Sequence, residues 1–458
     1  MTFPEYKTEL RSLLTLAVPI ALAQVGQTLM GVVDTAVVGR LGAAEIGAVG
    51  VGNSLFWFVG MFATGLVMGI DPLVSQAVGA NDPLRARRML WQGIYLAIAI
   101  AAVLTVPLFF SPRLLAFFHV VPEVAVLAWD YTRVRTFSLL PLLIFVVIRA
   151  YLQGKNVTRP MVVSIVIANI ANLLLDILLV FGGEALPAWC GPLRAIPAFG
   201  VTGAAIATVL CSVLQVAIIA IAVPRVALPP HDGSLRTFIS SDFRRAFRVG
   251  LPVGFQLAAE VGIFALVGLV AGGLGKYALA AHQVTIALAS FTFTFAVGVG
   301  SAGSVRVGLA VGALDQRRTR VAGLTAFSGG ALIMSVFSLV FAFFPAQVAG
   351  LISSESDVIA ATAPVILIAA IFQIFDGIQA VGAGVLRGAA DTRFAFIANV
   401  IGHWGIGLPV AWYLGFHLQG GITGLWWGLC AGLIAVAIML FIRFARISSR
   451  PIRPVAHT

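Results

Sequence analysis

Four acidic residues lie inside otherwise apolar stretches of the chain: Asp34, Asp176, Glu260 and Asp376. A charge at the centre of a bilayer costs roughly 2.5–3.5 kcal/mol, so four acids facing lipid would cost on the order of 10 kcal/mol. We therefore expect these side chains to face a protein interior, to carry a proton, or to bind a cation. Because no lysine or arginine is predicted in the middle of a span, a mobile cation is the simplest partner for them.

Polar neighbours accompany the acids at helical spacing, which places each set on one face of a helix. The sets are Gln24, Gln27 and Asp34; Asn169, Asn172 and Asp176; Gln256 and Glu260; and Gln373 and Asp376. Each half of the chain holds two of the acids, which predicts two clusters instead of one shared site. A buried carboxylate can load and release a proton, and with amide and carbonyl oxygens beside it can hold sodium. The alternative is that these polar groups only join helices.

The composition is that of a membrane protein. Of the 458 residues, 60% are hydrophobic and 10% are charged, with a mean hydropathy of +1.02, whereas a soluble domain carries about 25% charged residues. The net charge of +11 does not indicate a nucleic-acid partner, because the charges sit in short loops between apolar runs. The sequence has no P-loop and no nucleophile with its base, so we expect no enzyme, no ATP-driven transport and no cofactor.

Windows of about 20 apolar residues, the length that crosses a bilayer, divide the chain into twelve predicted spans. Backbone groups must be paired internally in lipid, so the spans are expected to be helices and the fold class an all-α polytopic membrane protein. The predicted spans are 13–36, 46–70, 90–110, 129–151, 161–183, 200–223, 250–272, 280–304, 321–343, 360–385, 394–416 and 421–443.

The basic residues predict how the spans are oriented. Most of the 29 lysines and arginines fall in the segments that twelve spans place on the same side as the N-terminus. Such loops are cytoplasmic, so we expect both termini inside and a multi-pass protein of a bacterial inner membrane. The first apolar run contains Ala21-Leu22-Ala23, which resembles a signal-peptidase site. The run continues past it, so we expect no cleavage.

The two halves of the chain are related in sequence. The polar segment 224–249 predicts a cytoplasmic linker between a first lobe, 1–223, and a second lobe, 250–458, which ends in a short basic tail. At one constant offset, three motifs recur: Pro19 and Pro252, Leu41-Gly42 and Leu274-Gly275, and Ala77-Val78-Gly79-Ala80 and Ala310-Val311-Gly312-Ala313. Parallel repeats of six helices around a central cleft are a transporter architecture.

Pro19 and two histidines are weaker candidates. Pro19 lies inside the first span, removes a backbone hydrogen bond and can bend the helix there, which makes it a candidate hinge. A tolerated kink is an equal alternative. His282 and His403 have the chemistry of a proton relay, but simple packing is the favoured interpretation.

Three strings carry a resemblance to a known family. Pro19 through Arg40 (PIALAQVGQTLMGVVDTAVVGR), Val74-Ser75-Gln76-Ala77-Val78-Gly79-Ala80, and Leu386-Arg387-Gly388 with Asp391-Thr392-Arg393 resemble the multidrug and toxic compound extrusion (MATE) family, over essentially all twelve spans. The resemblance implies a V-shaped pair of pseudo-symmetric six-helix lobes. It also implies alternating access and export of cationic or lipophilic compounds against an inward flow of protons or sodium.

The resemblance also implies roles for individual residues. The family's ion-coupling residues fall on Asp34, Asn172 and Asp176, where sodium is an alternative to the proton, and its sixth-span threonine falls on Thr208, with Thr202 as the alternative. Glu260 and Asp376 resemble the NorM-like branch and, with Gln256 and Gln373, imply a second site for ion or substrate. A tyrosine common one turn before the tenth-span aspartate is missing, since the positions read Phe372, Gln373 and Phe375.

The sequence thus predicts a secondary active antiporter that exports small organic cations or lipophilic drugs in exchange for protons or sodium. We expect it to act as a monomer in the bilayer, without nucleic acid. Two alternatives stay open. One is a flippase of lipid-linked saccharides, which needs a cationic cavity where this chain has acids. The other is an ion channel, which has no use for duplicated lobes with separate acid clusters.

Overall fold

A computed structural model describes residues 3–117, 121–185, 188–450 and 452–455, so the outermost ends of both predicted lobes lie outside the described residues. The described residues form helices and connecting loops, with no β-strand among them. Within these described ranges, twelve helices are long and apolar enough to cross a membrane. They are α1 Glu5–Val38, α2 Ala43–Gly79, α3 Pro83–Arg113, α4 Pro122–Gly154, α5 Arg159–Phe181, α6 Gly200–Ala222, α7 Ser240–Gly273, α8 Lys276–Gly312, α9 Gln316–Phe343, α10 Ser356–Gly388, α11 Thr392–His417 and α12 Gly421–Ile447.

The twelve predicted spans are confirmed, although most helices are longer than the windows that found them. For example, α2 continues to Gly79 and α8 to Gly312. A hydropathy window ends at the first polar residues, whereas the hydrogen-bonded helix continues through them. The helices therefore carry polar turns at their ends, and these turns bring the lobes into contact.

Several helices are interrupted or contain proline. The helix α2 is interrupted by a turn at Met68 and Gly69, α4 contains a 3₁₀ turn at Thr136–Ser138, and α11 contains π-helical stretches at Val400–Gly407 and Tyr413–His417. In contrast, α1 runs without interruption through Pro19. A hinge at Pro19 stays a prediction.

The repeated motifs have the same local structure in both copies. After Gly79 and after Gly312 the chain turns through a residue with positive φ, and the next aspartate caps the following helix. Asp82 Oδ1 accepts a hydrogen bond from the Arg85 N–H at 2.8 Å, and Asp315 Oδ1 accepts one from the Arg318 N–H at 2.9 Å. These aspartates are N-caps, the side-chain acceptors that helix starts prefer. The motif is therefore a turn between helices.

The helices pack into two bundles, α1–α6 and α7–α12, and the bundles meet mainly through α1 against α8 and α7 against α2. The repeat exchanges these two pairs, so the lobes are related by pseudo-symmetry. Two matched glycines lie in close contact with the backbone of the opposite lobe. A Cβ at Gly79 would lie 2.0 Å from the carbonyl oxygen of Leu309, and a Cβ at Gly312 would lie 2.0 Å from that of Gln76.

Charged and polar side chains also join the lobes near this glycine contact. Three acids of the first lobe pair with three arginines of the second: Glu9 with Arg306 at 2.6 Å, Glu5 with Arg317 at 2.6 Å, and Asp71 with Arg387 at 3.2 Å. In addition, Gln76 Nε2 donates to the Gly388 carbonyl at 3.0 Å, and Gln76 Oε1 accepts from the Val455 N–H at 2.9 Å. The lobes are thus closed at the end that carries the repeated turns.

We expect Gly312→Val to open this closed end. Valine cannot fit against the backbone of Gln76, and forcing extra methyl groups into a packed contact costs about 1–3 kcal/mol. Spin labels at the exposed positions 159 and 320, one on each lobe, should gain a population at longer distance. Gly273→Val is the control, because a Cβ at Gly273 meets nothing within 4 Å. An unchanged distance distribution in Gly312→Val would contradict the close contact.

Candidate functional site

The first cluster is built by three helices around Asp34 of α1. Asn172 of α5 donates from Nδ2 to Asp34 Oδ1 at 2.9 Å, and Thr208 of α6 donates from Oγ1 to Asp34 Oδ2 at 3.0 Å. Asp34 is 1% exposed. The structure therefore brings together the residues from three separate spans that the sequence analysis had grouped, and it places Thr208 at the carboxylate.

Asp176 completes this first cluster from the next turn of α5. It is fully buried, and neither of its carboxylate oxygens has a hydrogen-bond partner among the described residues. The Oδ1 of Asn172 is likewise buried without a partner there. Three unpartnered oxygens beside the Asp34 carboxylate are the kind of donor set that a sodium ion takes. They equally suit a proton shared between two carboxyl groups, so the site fits either ion.

A buried arginine lies in the same lobe. Arg135 lies well inside α4, is 8% exposed, and its guanidinium sits 4.6 Å above the ring of Phe56. The predicted span 129–151 places Arg135 near its outer start, whereas α4 begins at Pro122, so Arg135 lies further along the helix than that window suggested.

The second cluster faces a large cavity between the lobes. Glu260 of α7 and Asp376 of α10 both line this cavity, which has a volume of about 870 Å³. Glu260 Oε2 accepts hydrogen bonds from Gln379 Nε2 at 3.2 Å and Asn399 Nδ2 at 3.3 Å. The cavity walls also include aromatic rings from both lobes. These are Trp57, Phe58, Phe264, Phe293 and Phe372.

Two of the predicted partners of the second cluster have different positions. Gln256 lines a smaller neighbouring cavity of about 260 Å³, which Glu260 also reaches. Gln373 points to α8 instead, where its Oε1 accepts a hydrogen bond from Thr292 Oγ1 at 2.8 Å. The structure therefore keeps Gln256 near the second cluster and gives Gln373 a contact between helices.

The predicted polar faces of α1 and α5 are also divided. Gln24 and Gln27 line the smaller cavity, away from Asp34, and Gln24 Oε1 accepts from Arg149 Nη1 at 3.5 Å. Asn169 Nδ2 donates to the Gly26 carbonyl at 3.0 Å and so joins α5 to α1. Only the Asp34 and Asp176 ends of these faces belong to the first cluster.

The sequence analysis missed Gln379 and Asn399, which hold Glu260. Both lie within predicted spans, where an amide is expensive unless it is hydrogen-bonded. Gln379 also follows Asp376 by three residues on the same helix face. These two signals together would have selected them. His282 lines the large cavity together with Glu260 and Asp376, whereas the ring of His403 is buried 6.2 Å from the ring of Phe264.

Twelve apolar helices, two lobes and a cavity between them define a polytopic membrane transporter. The family model described as MatE matches residues 19–178 and 252–413. The multidrug resistance protein NorM of Burkholderia vietnamiensis is 34% identical over 441 residues, covering 94% of this chain and 92% of the relative. A probable multidrug resistance protein NorM of Rhizobium meliloti (strain 1021) is 32% identical over 457 residues, covering 97% and 95%. The chain therefore belongs to the MATE family.

Solved structures have the same fold. The crystal structure of a eukaryotic MATE transporter superposes with a TM-score of 0.84 at 22% sequence identity, covering 97% of this chain and 99% of the other. A MATE protein in a bent conformation superposes with a TM-score of 0.85 at 20% identity, covering 98% of each chain. At these identities the comparison concerns the fold alone, and it agrees with the two-lobed arrangement.

Proposed function

We propose that the protein is a secondary active multidrug efflux antiporter, which exports cationic or lipophilic compounds in exchange for an inward flow of protons or sodium. The observation that carries this proposal is the separation of the acids into two clusters with different surroundings. The Asp34 cluster is closed inside the first lobe and has unpartnered oxygens for a small ion. The Glu260 and Asp376 cluster faces a cavity large enough for a drug.

The ion site is placed to act on the contact between lobes, because Asp34 belongs to α1. That helix packs on α8 of the second lobe, where a Cβ at Gly298 would lie 2.8 Å from the Cβ of Ala21. An ion at Asp34, Asn172 and Asp176 changes how strongly α1 is held to α5 and α6. A change in the position of α1 then alters the packing on α8, and Pro19, two residues before Ala21 in α1, is the proposed hinge. The ion need only bind the two states differently for coupling.

The cavity is suited to organic cations. Carboxylates at Glu260 and Asp376 attract a positive charge, and the surrounding aromatic rings offer apolar and cation–π contacts. The relatives named multidrug resistance proteins support this class of substrate. A lipid-linked saccharide would need cations for its pyrophosphate. Two arginines that could bind a pyrophosphate, Arg149 and Arg387, line the smaller cavity, and Arg387 is already paired with Asp71.

The proposal includes the orientation of the protein in the membrane, the bounds of its lobes and its oligomeric state. The ion pairs close the end that carries the termini, which we assign to the cytoplasm of a bacterial cell with the protein in its inner membrane. The large cavity then opens toward the outside. The lobes correspond to 1–223 and 250–458, with 224–249 as the linker, and the protein works as a monomer.

A vesicle assay tests the proposed function and the identity of the ion together. Purified protein in vesicles should move a fluorescent organic cation against its gradient when a proton or a sodium gradient is imposed, and the gradient that works identifies the ion. Counter-flow of labelled substrate is expected, because a carrier exchanges substrate across the membrane and a channel does not. Dye movement that neither gradient accelerates would refute the antiporter.

A further inference from the structure

We propose that a cavity at the loop-bearing end of the second lobe binds the phosphate group of an anionic ligand, beyond the transport function itself. The cavity has a volume of about 560 Å³ and lies between the start of α7, the start of α11 and the C-terminal tail. Five arginines line it: Arg244, Arg245, Arg248, Arg393 and Arg453. This is a concave site lined by positive charge, separate from both acid clusters.

Most of this positive charge is not neutralised by the protein. Asp391 lines the cavity, but its Oδ2 accepts a 2.6 Å hydrogen bond from Arg443, which lies outside it. Arg245 pairs with Asp242 at 3.4 Å. Within the described part of the chain, the other four lining arginines have no acidic partner within ion-pair distance. An external anion is therefore the partner that this site lacks.

The arrangement is held in place by the fold. On α7 the arginines at 244, 245 and 248 occupy adjacent positions of the first turns. The start of α11 is fixed against them, because Thr392 Oγ1 donates to the Val249 carbonyl at 2.8 Å and Thr392 is 3% exposed. Asp391 is engaged by Arg443 and does not cap the first turn of α11. The backbone N–H groups of that first turn therefore add to the attraction for an anion.

The internal repeat indicates that the arginines of this cavity do more than orient the protein in the membrane. Cytoplasmic arginines are expected in both lobes, yet the positions equivalent to Arg245 and Arg248 are Ser12 and Thr15. Those hydroxyls hydrogen-bond only to carbonyls of their own helix. Arg245 and Arg248 therefore have no basic counterpart in the first lobe, whereas Arg244 and Arg393 correspond to Arg11 and Arg159.

Phosphate is the ligand chemistry that fits, because guanidinium groups bind phosphate oxygens through paired hydrogen bonds. A phospholipid headgroup and a soluble phosphate share this chemistry, and the surroundings favour the lipid. Phe247 and Ile397 are exposed apolar side chains on α7 and α11, one turn or less from the arginines, and can lie along an acyl chain. Basic pockets between helices on the cytoplasmic side suit anionic lipid headgroups.

Binding of acyl-labelled phosphatidylglycerol to the detergent-purified full chain tests the proposal. In the triple variant Arg244→Gln/Arg248→Gln/Arg393→Gln, we expect the dissociation constant to rise at least about tenfold, because charge-assisted hydrogen bonds to phosphate are lost. The matched control is Arg225→Gln/Arg318→Gln/Arg320→Gln, which removes the same charge from exposed positions outside the cavity. Its dissociation constant should stay within about twofold of the original.

Competition identifies the source of the phosphate. If millimolar inorganic phosphate displaces the lipid, the site takes soluble phosphates as well; if it does not, the site is specific for the lipid headgroup. Equal losses in the two triple variants, or equal binding of zwitterionic phosphatidylcholine, would overturn the proposal. Monodisperse elution and an unchanged circular dichroism spectrum establish that each variant is folded. Since the readout is binding, a failure of ion-driven transport would leave this result unaffected.

Discussion

Asp34→Asn is expected to abolish ion-driven efflux while the protein stays folded. Asparagine cannot exchange a proton near neutral pH, and it offers sodium no negative charge. A coupling free energy of about 1–3 kcal/mol corresponds to a factor of about 5–150 in the coupled equilibrium, so dye accumulation should fall to the level of protein-free vesicles. The fold should tolerate the change, because the unpartnered Oδ1 of Asn172 can accept a hydrogen bond from the new amide.

The measurement is steady-state dye accumulation in vesicles under the working ion gradient, with the melting temperature recorded for each variant. Asp130→Asn is the matched control, since Asp130 is an exposed acid of the same lobe and should transport normally. Substrate affinity in the cavity should change little in Asp34→Asn, because Asp34 does not line that cavity. Normal accumulation by Asp34→Asn would remove the first cluster from the coupling mechanism.

The sequence allowed the helices and the acids to be predicted because both leave a local signal. Apolar windows reveal spans, and a charge inside one is conspicuous because lipid makes it costly. The grouping of Asp34 with Asn172, Asp176 and Thr208 was further helped by the family resemblance. Their mutual hydrogen bonds agree with that grouping, while their role in ion coupling stays a prediction.

Helix periodicity alone was a poor guide to which polar residues meet. Gln24 and Asp34 lie on one face of α1, but they are ten residues apart, which is about 15 Å along the axis at 1.5 Å per residue. They therefore reach different levels of the lobe, and Gln24 meets Arg149 instead. Gln373 likewise shares a face with Asp376 but bonds Thr292 of α8. Such contacts depend on the rotation and approach of a second helix.

Contacts between lobes left even less trace in the sequence. Asp71 and Arg387 were each assigned to the end of a span, where an isolated charge needs no explanation. Together they form a largely buried ion pair across the lobes. The pairing follows from the way α2 and α10 approach each other, which no local pattern encodes. The same holds for Glu9 and Arg306, which lie far apart in the chain.

Glu260→Gln is expected to weaken the transport of cations selectively. Both amide donors of the second cluster address the single oxygen Oε2, so glutamine can keep those hydrogen bonds and lose only the negative charge. A hydrogen bond to a charged group contributes about 1.5–3 kcal/mol, which predicts a KM for a monocationic dye that is at least about tenfold higher. An uncharged lipophilic substrate should keep its KM, because the aromatic walls of the cavity are unchanged.

Initial efflux rates at varied dye concentration separate this effect from that of Asp34→Asn. Loss of substrate binding raises KM with little change in the maximal rate, whereas loss of ion coupling lowers the maximal rate. Glu355→Gln, at an exposed position of the same lobe, controls for the removal of one negative charge. Equal changes of KM for the charged and the uncharged substrate would mean that Glu260 shapes the cavity without recognising charge, and the second cluster would then be structural.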